Sequence, residues 1–202
     1  MKLGGALITP KKEGSFGIVE DIVRSFSREV RELMVKHRFF LAHGAGPYGH
    51  VPVRKYGLER GAGRGSELGI SETLISVSGL NVAISRLMLD EGLPVAPFPP
   101  RSVFRRFGAG IVCDLSPIEE LMDLGMIPLT HGDLIPDEER GVYILSADEI
   151  PIYLVPLGLE RAIFLTDVPG VMDEEGRVLG GDLLEDPPLL VHYPRDVGQE
   201  DR

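Results

Sequence analysis

Apolar positions along the chain switch between two periods. Ile18, Ile22, Val23, Phe26, Val30, Leu33 and Met34 recur at helical spacing and predict a helix over 18–37. Phe39, Phe40, Leu41 and Ala42 then form a short unbroken apolar run that ends in glycines, the signature of a strand buried on both faces. A second long helix is expected from Ser71, a good N-cap, to Glu91, with Gly92 as its stop. Leu93 to Phe98 reads as the next strand. Ser116-Pro117-Ile118-Glu119 has the form of a capping box with proline at the first helical position, opening a helix that stops near Gly125. Met126 to Thr130 is again a strand, and Val142 to Leu145 one arm of a hairpin turning through Glu139-Arg140-Gly141. Ser146 caps a short helix over 147–155, with Pro151 near its first turn, and Arg161 to Val168 closes the series as a strand. Such alternation predicts an α/β fold: an open, mostly parallel sheet with helices on both faces.

Length allows one substantial core among the 202 residues. The expected organisation is a single domain over 1–180 and an irregular tail over 181–202, where Pro187-Pro188 and a charged end replace any periodic pattern. A net charge of −10 disfavours nucleic acid and anionic lipid as partners. An anionic substrate therefore needs a local concentration of donors. No apolar run reaches the roughly 18 residues of a membrane span. The lone Cys113 cannot form an internal disulfide and reads as a small, partly buried side chain; a reducing cytoplasm is the expected setting. Asn81 and Gln199 are the only side-chain amides, a depletion expected of a protein from a hot environment.

Three groups of residues carry candidate chemistry. His43-Gly44-Ala45-Gly46-Pro47-Tyr48-Gly49-His50 follows a strand directly, and its glycines let backbone N–H groups approach a phosphate, with a histidine at the far edge. A helix after the loop aims its positive end at the same place. Lys2-Leu3-Gly4-Gly5, followed by Thr9 and Lys11-Lys12, places cations beside a glycine turn, as phosphoryl transfer requires. Gly132-Asp133, Ser146-Ala147-Asp148 and Thr166-Asp167-Val168-Pro169-Gly170 each fall at a strand's C-terminal end or a helix start, where open α/β sheets bind ligands. Taken singly, each of these is as well read as a turn or a cap.

In this order the groups resemble the amino-acid-kinase superfamily and, within it, the isopentenyl phosphate kinases. The match runs through Lys2 to Thr9, His43 to His50, Tyr56-Gly57-Leu58, Gly132-Asp133, Ser146 to Asp148 and Leu165 to Gly170, spanning roughly residues 1–180. The resemblance implies a three-layer sandwich with an acceptor half over about 1–130 and a nucleotide half over about 131–180. It implies phosphoryl transfer from ATP, with Mg2+, to a small phosphate monoester, isopentenyl phosphate first, and a homodimer. Lys2 and Lys11 are expected on the transferring phosphoryl group, with Asp148 orienting them. Gly4, Gly5, Gly44, Ala45, Gly46 and Gly49 are expected to supply backbone donors or room around the phosphates. His50 is expected on the acceptor's phosphate, and Thr166, Asp167 and Gly170 beside the nucleotide. No protein-held metal site is expected. Leu74, Val77, Leu80 and Ile84 are candidates for the wall of an apolar pocket, with core packing as their competing role.

Three departures shape these expectations. Lys2 stands close to the first residue, where the family has a longer first strand. Ala6 and Ala147 replace the family's serine and glycine. No lysine follows Lys55, although the family places one on the nucleotide phosphates after a Thr-Gly-Gly-Met segment. Arg177 and Arg195 are the available substitutes, and a guanidinium is not equivalent to an ammonium at a point contact. The nucleotide half is therefore expected to be shortened. Two alternatives stay open: an inactive homologue that binds a phosphorylated metabolite or serves as a partner subunit, and a kinase of a phosphonate, an acidic amino acid or a nucleotide.

Overall fold

The computed structural model describes residues 1–10, 15–168, 170, 175, 177 and 178. Met1–Asp167 form one compact unit, and Val168–Arg202 a second, of which only Val168, Gly170, Glu175, Arg177 and Val178 are described. The 181–202 tail, Lys11, Lys12 and Arg195 lie outside the described residues.

The first unit runs β1 (Lys2–Leu3), α1 (Gly5–Ile8), α2 (Glu20–Leu33), β2 (Leu41–His43), α3 (Pro47–Tyr56), α4 (Glu67–Asp90), β3 (Val95–Pro97), β4 (Phe104–Phe107), β5 (Gly110–Cys113), α5 (Ser116–Asp123), β6 (Ile127–His131), β7 (Asp133–Asp137), β8 (Gly141–Leu145), α6 (Ile150–Tyr153) and β9 (Phe164–Leu165). Five strands make a wholly parallel sheet in the order β3-β6-β2-β1-β9. One face is covered by α2 and α4 through Val23, Phe26, Val30, Leu80, Ile84 and Met88, which pack on Leu3, Leu41, Ile127 and Leu129. On the other face Phe40 and Ala42 meet Ile118 of α5, Ile150 of α6, and Phe104 and Ile135 from β4 and β7. The expected α/β layering is present.

A second sheet, of order β5-β4-β7-β8, holds the expected hairpin as β7–β8 and, beyond the expectations, the pair β4–β5. Its β4–β5 hairpin is short and carries Arg105 and Arg106 in the middle of β4, so no apolar alternation announces it. Helix starts also differ. Ser116 is already helical, and the Asp114 carboxylate accepts its amide at 3.1 Å, so Asp114 does the capping expected of Ser116. Helix α4 begins one turn earlier than Ser71, behind Ser66. Over 146–149 the capping box is reciprocal: Ser146 Oγ accepts the Asp148 amide at 3.2 Å, and Glu149 accepts the Ser146 amide at 3.1 Å.

Candidate active site

Parallel strands place all their C-terminal ends on one edge of the sheet, and there the loops after β1, β2, β6 and β8 converge. They enclose a cleft of about 1010 Å³. Lys2, Gly5, Gly44, Ala45, Gly46, Gly49, His50, Asp148 and Asp167 all line it. Gly4 and Thr166 flank it in sequence without lining it. Lys11 lies outside the described residues, and Gly170 belongs to the second unit.

Strand parity explains the cation. Leu3 points into the α2/α4 core, so Lys2 points to the opposite face, the side of Ala42 and Ala147. There its ammonium meets the Asp148 carboxylate at 2.7 Å, with the Lys2 side chain only 12% exposed. The capped turn of 146–149 fixes Asp148, and Asp148 fixes Lys2.

The two glycine turns touch backbone to backbone. A Cβ on Gly44 would lie 2.5 Å from the Gly5 nitrogen, and one on Gly5 would lie 2.7 Å from the Gly46 nitrogen. Gly46 has φ +50°, and a Cβ there would also strike Thr9 Oγ1 at 2.8 Å. Among the described residues, the amides of Gly5, Ala6, Ala45 and Gly46 donate to no protein acceptor, although each borders the cleft. Backbone donors without partners beside an ammonium are what a bound phosphate requires. Helix α3 opens from the same loop, and Pro47 stands in its first turn, where a missing N–H costs nothing. His50 lies one turn along α3, exposed and on the cleft wall.

The lining also holds the apolar side chains of Val51, Val53, Val77, Leu134 and Ile144, together with charged Arg54 and Lys55 of α3. Of the expected pocket residues, Val77 is here. Leu80 and Ile84 belong to the core, and Leu74 packs against Val53, Leu58 and Leu134.

Two arrangements at the site escape sequence reasoning. Asp133, at the cleft, is fully buried and held by Arg101 at 2.8 Å and by the Leu134 amide at 2.9 Å; Arg101 also donates to Ser78 at 3.2 Å. Burial raises the Asp133 carboxyl above its ordinary value, opposed by the Arg101 charge. His43 and His131 are cross-strand partners on β2 and β6, both fully buried, with ring centroids 5.7 Å apart. His43 Nε2 lies 3.1 Å from Asn81 Oδ1 of α4. Burial lowers both imidazoles to about 4, and the neighbouring ring adds to the effect on His43. His43 was visible as the first residue of the glycine loop, but its partner is set by strand register alone.

A parallel α/β sheet with a glycine-lined cleft and a nearly buried, paired ammonium at the strand ends is an arrangement suited to phosphate ligands. The amino acid kinase family model matches residues 1–185, and the chain belongs to that family. An isopentenyl phosphate kinase of Arabidopsis thaliana is 36% identical over 141 residues, 67% of this chain and 42% of that protein. One from Methanocaldococcus jannaschii is 28% identical over 184 residues, 85% of this chain and 70% of its own length. Among solved structures, an isopentenyl phosphate kinase superposes with a TM-score of 0.76 at 28% identity, covering 84% of this chain and 72% of that one.

Proposed function

We propose that the chain takes part in transferring the γ-phosphoryl group of ATP to a phosphate monoester, with isopentenyl phosphate as the acceptor. The observation that carries this reading is the shared cleft. The Lys2–Asp148 pair, the unpartnered amides of both glycine turns and His50 all face one space.

Lys2 and the amides of Gly5, Ala6, Ala45 and Gly46 hold the transferring phosphoryl group and take up its developing charge. Asp148 holds the ammonium in place without neutralising its reach to the cleft. His50 donates to the acceptor's phosphate. That phosphate is mostly a dianion at neutral pH, so its oxygen attacks without needing a general base. A new P–O bond forms to the γ-phosphorus, the bridging bond to the β-phosphate breaks, and ADP and a diphosphate ester leave. Magnesium fits as the nucleotide's ion: it needs one or two carboxylates beside the phosphates, and Asp148 and Asp167 border the cleft. It would neutralise phosphate charge there. Val53, Val77, Leu134 and Ile144 suit a short hydrocarbon tail, which favours an isoprenoid phosphate over an acidic amino acid.

The test is an acceptor panel with ATP and magnesium, read as ADP release. Isopentenyl phosphate should be turned over with higher kcat/KM than a phosphonate, aspartate, glutamate or a nucleoside monophosphate. Release with none of the short isoprenoid phosphates contradicts the proposal.

A further inference from the structure

Helix α6 is only four residues long, too short to hold its own first turn. Leu145, Ala147 and Ile150 anchor this stretch in the core, while Asp148 lines the cleft. The Asp148 carboxylate meets Lys2 at 2.7 Å and the Ser146 hydroxyl at 3.4 Å. The aim of the ammonium therefore depends on what holds the turn of 146–149.

Glu149 holds that turn from outside the cleft. One of its carboxylate oxygens accepts the Ser146 amide at 3.1 Å, and the other accepts the Tyr143 hydroxyl at 3.0 Å. A capping box needs only the first of these bonds. The second ties the turn back to β8, the strand that delivers it. A carboxylate engaged through both oxygens is fixed in orientation as well as in distance. Alternation along β8 puts Tyr143 on the same side as Leu145, against the core that also receives Ile150. The Tyr143 ring is held in its turn. The Arg106 guanidinium of β4 lies 4.5 Å from the ring centre, and Arg106 reaches Asp137 of β7 at 3.6 Å. Tyr143, Glu149 and Arg106 do not line the cleft, so their contacts serve the turn and not a ligand.

We infer that Tyr143 and Glu149 are positioning residues for the transferring cation. They fix the 146–149 turn, the turn fixes Asp148, and Asp148 aims Lys2 into the cleft. The effect on turnover rests on the proposed phosphoryl transfer, whereas the hold on Lys2 does not.

Two readouts on the full chain separate these levels. The first needs no reaction. Acetylation by an N-hydroxysuccinimide ester, resolved lysine by lysine in mass spectra, reads how often the Lys2 ammonium leaves Asp148. The exposed Lys36 is the internal reference. Tyr143→Phe removes one hydroxyl and should raise Lys2 labelling relative to Lys36 about tenfold, as expected for a lost hydrogen bond to a carboxylate. Glu149→Ala should raise it further. Glu149→Gln can still accept from the Ser146 amide and donate to the Tyr143 oxygen, and should return most of the protection. Circular dichroism checks that each variant is folded. Labelling unmoved by both Tyr143→Phe and Glu149→Ala overturns the inference, whatever the activity of the chain.

The second readout is ADP release with isopentenyl phosphate as acceptor. Glu149→Ala should lower kcat by about tenfold to a hundredfold and leave the KM for the acceptor in place. In a Lys2→Gln background the same change should have no further effect, an outcome that a general loss of structure does not produce. A fully additive loss in the double variant overturns the inference, and so does a wild-type kcat in Glu149→Ala. A wild type that transfers no phosphoryl group, while its Lys2 labelling responds as expected, contradicts the proposed reaction and supports the hold on Lys2.

Discussion

At the scale of single residues, the proposed transfer rests on one ammonium and one imidazole in different positions. Lys2 is nearly buried and tied to Asp148 at 2.7 Å, so it cannot relax toward a substitute partner when the substrate changes. Lys2→Gln should keep hydrogen-bonding capacity and lose the charge. A drop in kcat of about 10² to 10³ is expected in steady-state assays, the usual cost of removing one preorganised stabiliser. His50 is exposed on the cleft wall and in the proposed reaction binds the acceptor's phosphate, so His50→Ala should act mainly through the KM for the acceptor. A fall confined to kcat would place His50 elsewhere in the reaction. The buried His43–His131 pair makes a separate prediction about stability. Both imidazoles are lowered from 6.5 to about 4 in the folded chain, so the unfolded chain takes up protons first as pH falls. Their contribution is present above pH 6.5 and is lost as pH drops through about 4, on the order of 3 kcal/mol for each ring. Urea unfolding across this range should show the loss, and His131→Gln should lessen it. An unchanged acid profile in that variant would remove the histidines as its cause.

At the scale of elements, the decisive contact is between two turns rather than between side chains. Gly5 and Gly44 come so close that a Cβ on Gly44 meets a backbone nitrogen, which cannot swing aside. Gly44→Ala should therefore cost about 1 to 3 kcal/mol in denaturant unfolding and spread the phosphate cradle as well. Native-like stability in that variant would show that the turns can part. These turns were legible because glycine is required where backbone approaches backbone, and the requirement is written into Lys2 to Gly5 and His43 to His50. The strands of the parallel sheet were legible for a similar reason: burial on both faces leaves unbroken apolar runs such as Phe39 to Ala42. The β4–β5 hairpin was not, since its arginines break the period and its pairing with β7 is settled by the tertiary fold. The Asp133–Arg101 pair and the facing histidines share this origin. Each joins residues from separate elements, and only strand register and loop path bring them together.

At the scale of the whole molecule, a chain of net charge −10 sets the Lys2 ammonium and the amides of two glycine turns at one edge of one sheet. The sequence order of the motifs carried that reading, because each lies at the end of a successive strand and parallel pairing superposes those ends. Long-range repulsion of an anionic substrate by the acidic surface should make acceptor capture rise with ionic strength. The slope of kcat/KM against salt checks it, and a falling slope would show that local cations dominate the approach. In the proposed reaction Lys2, held by Asp148, and the glycine cradle together move a phosphoryl group onto a phosphate. Its most direct measurement is the 31P spectrum of a reaction containing ATP, magnesium and isopentenyl phosphate. The monoester resonance should give way to a pair of coupled diphosphate resonances as ATP becomes ADP, and Lys2→Gln should nearly abolish the conversion. A persistent monoester signal with the unaltered chain, or conversion at an unchanged rate with Lys2→Gln, would contradict it.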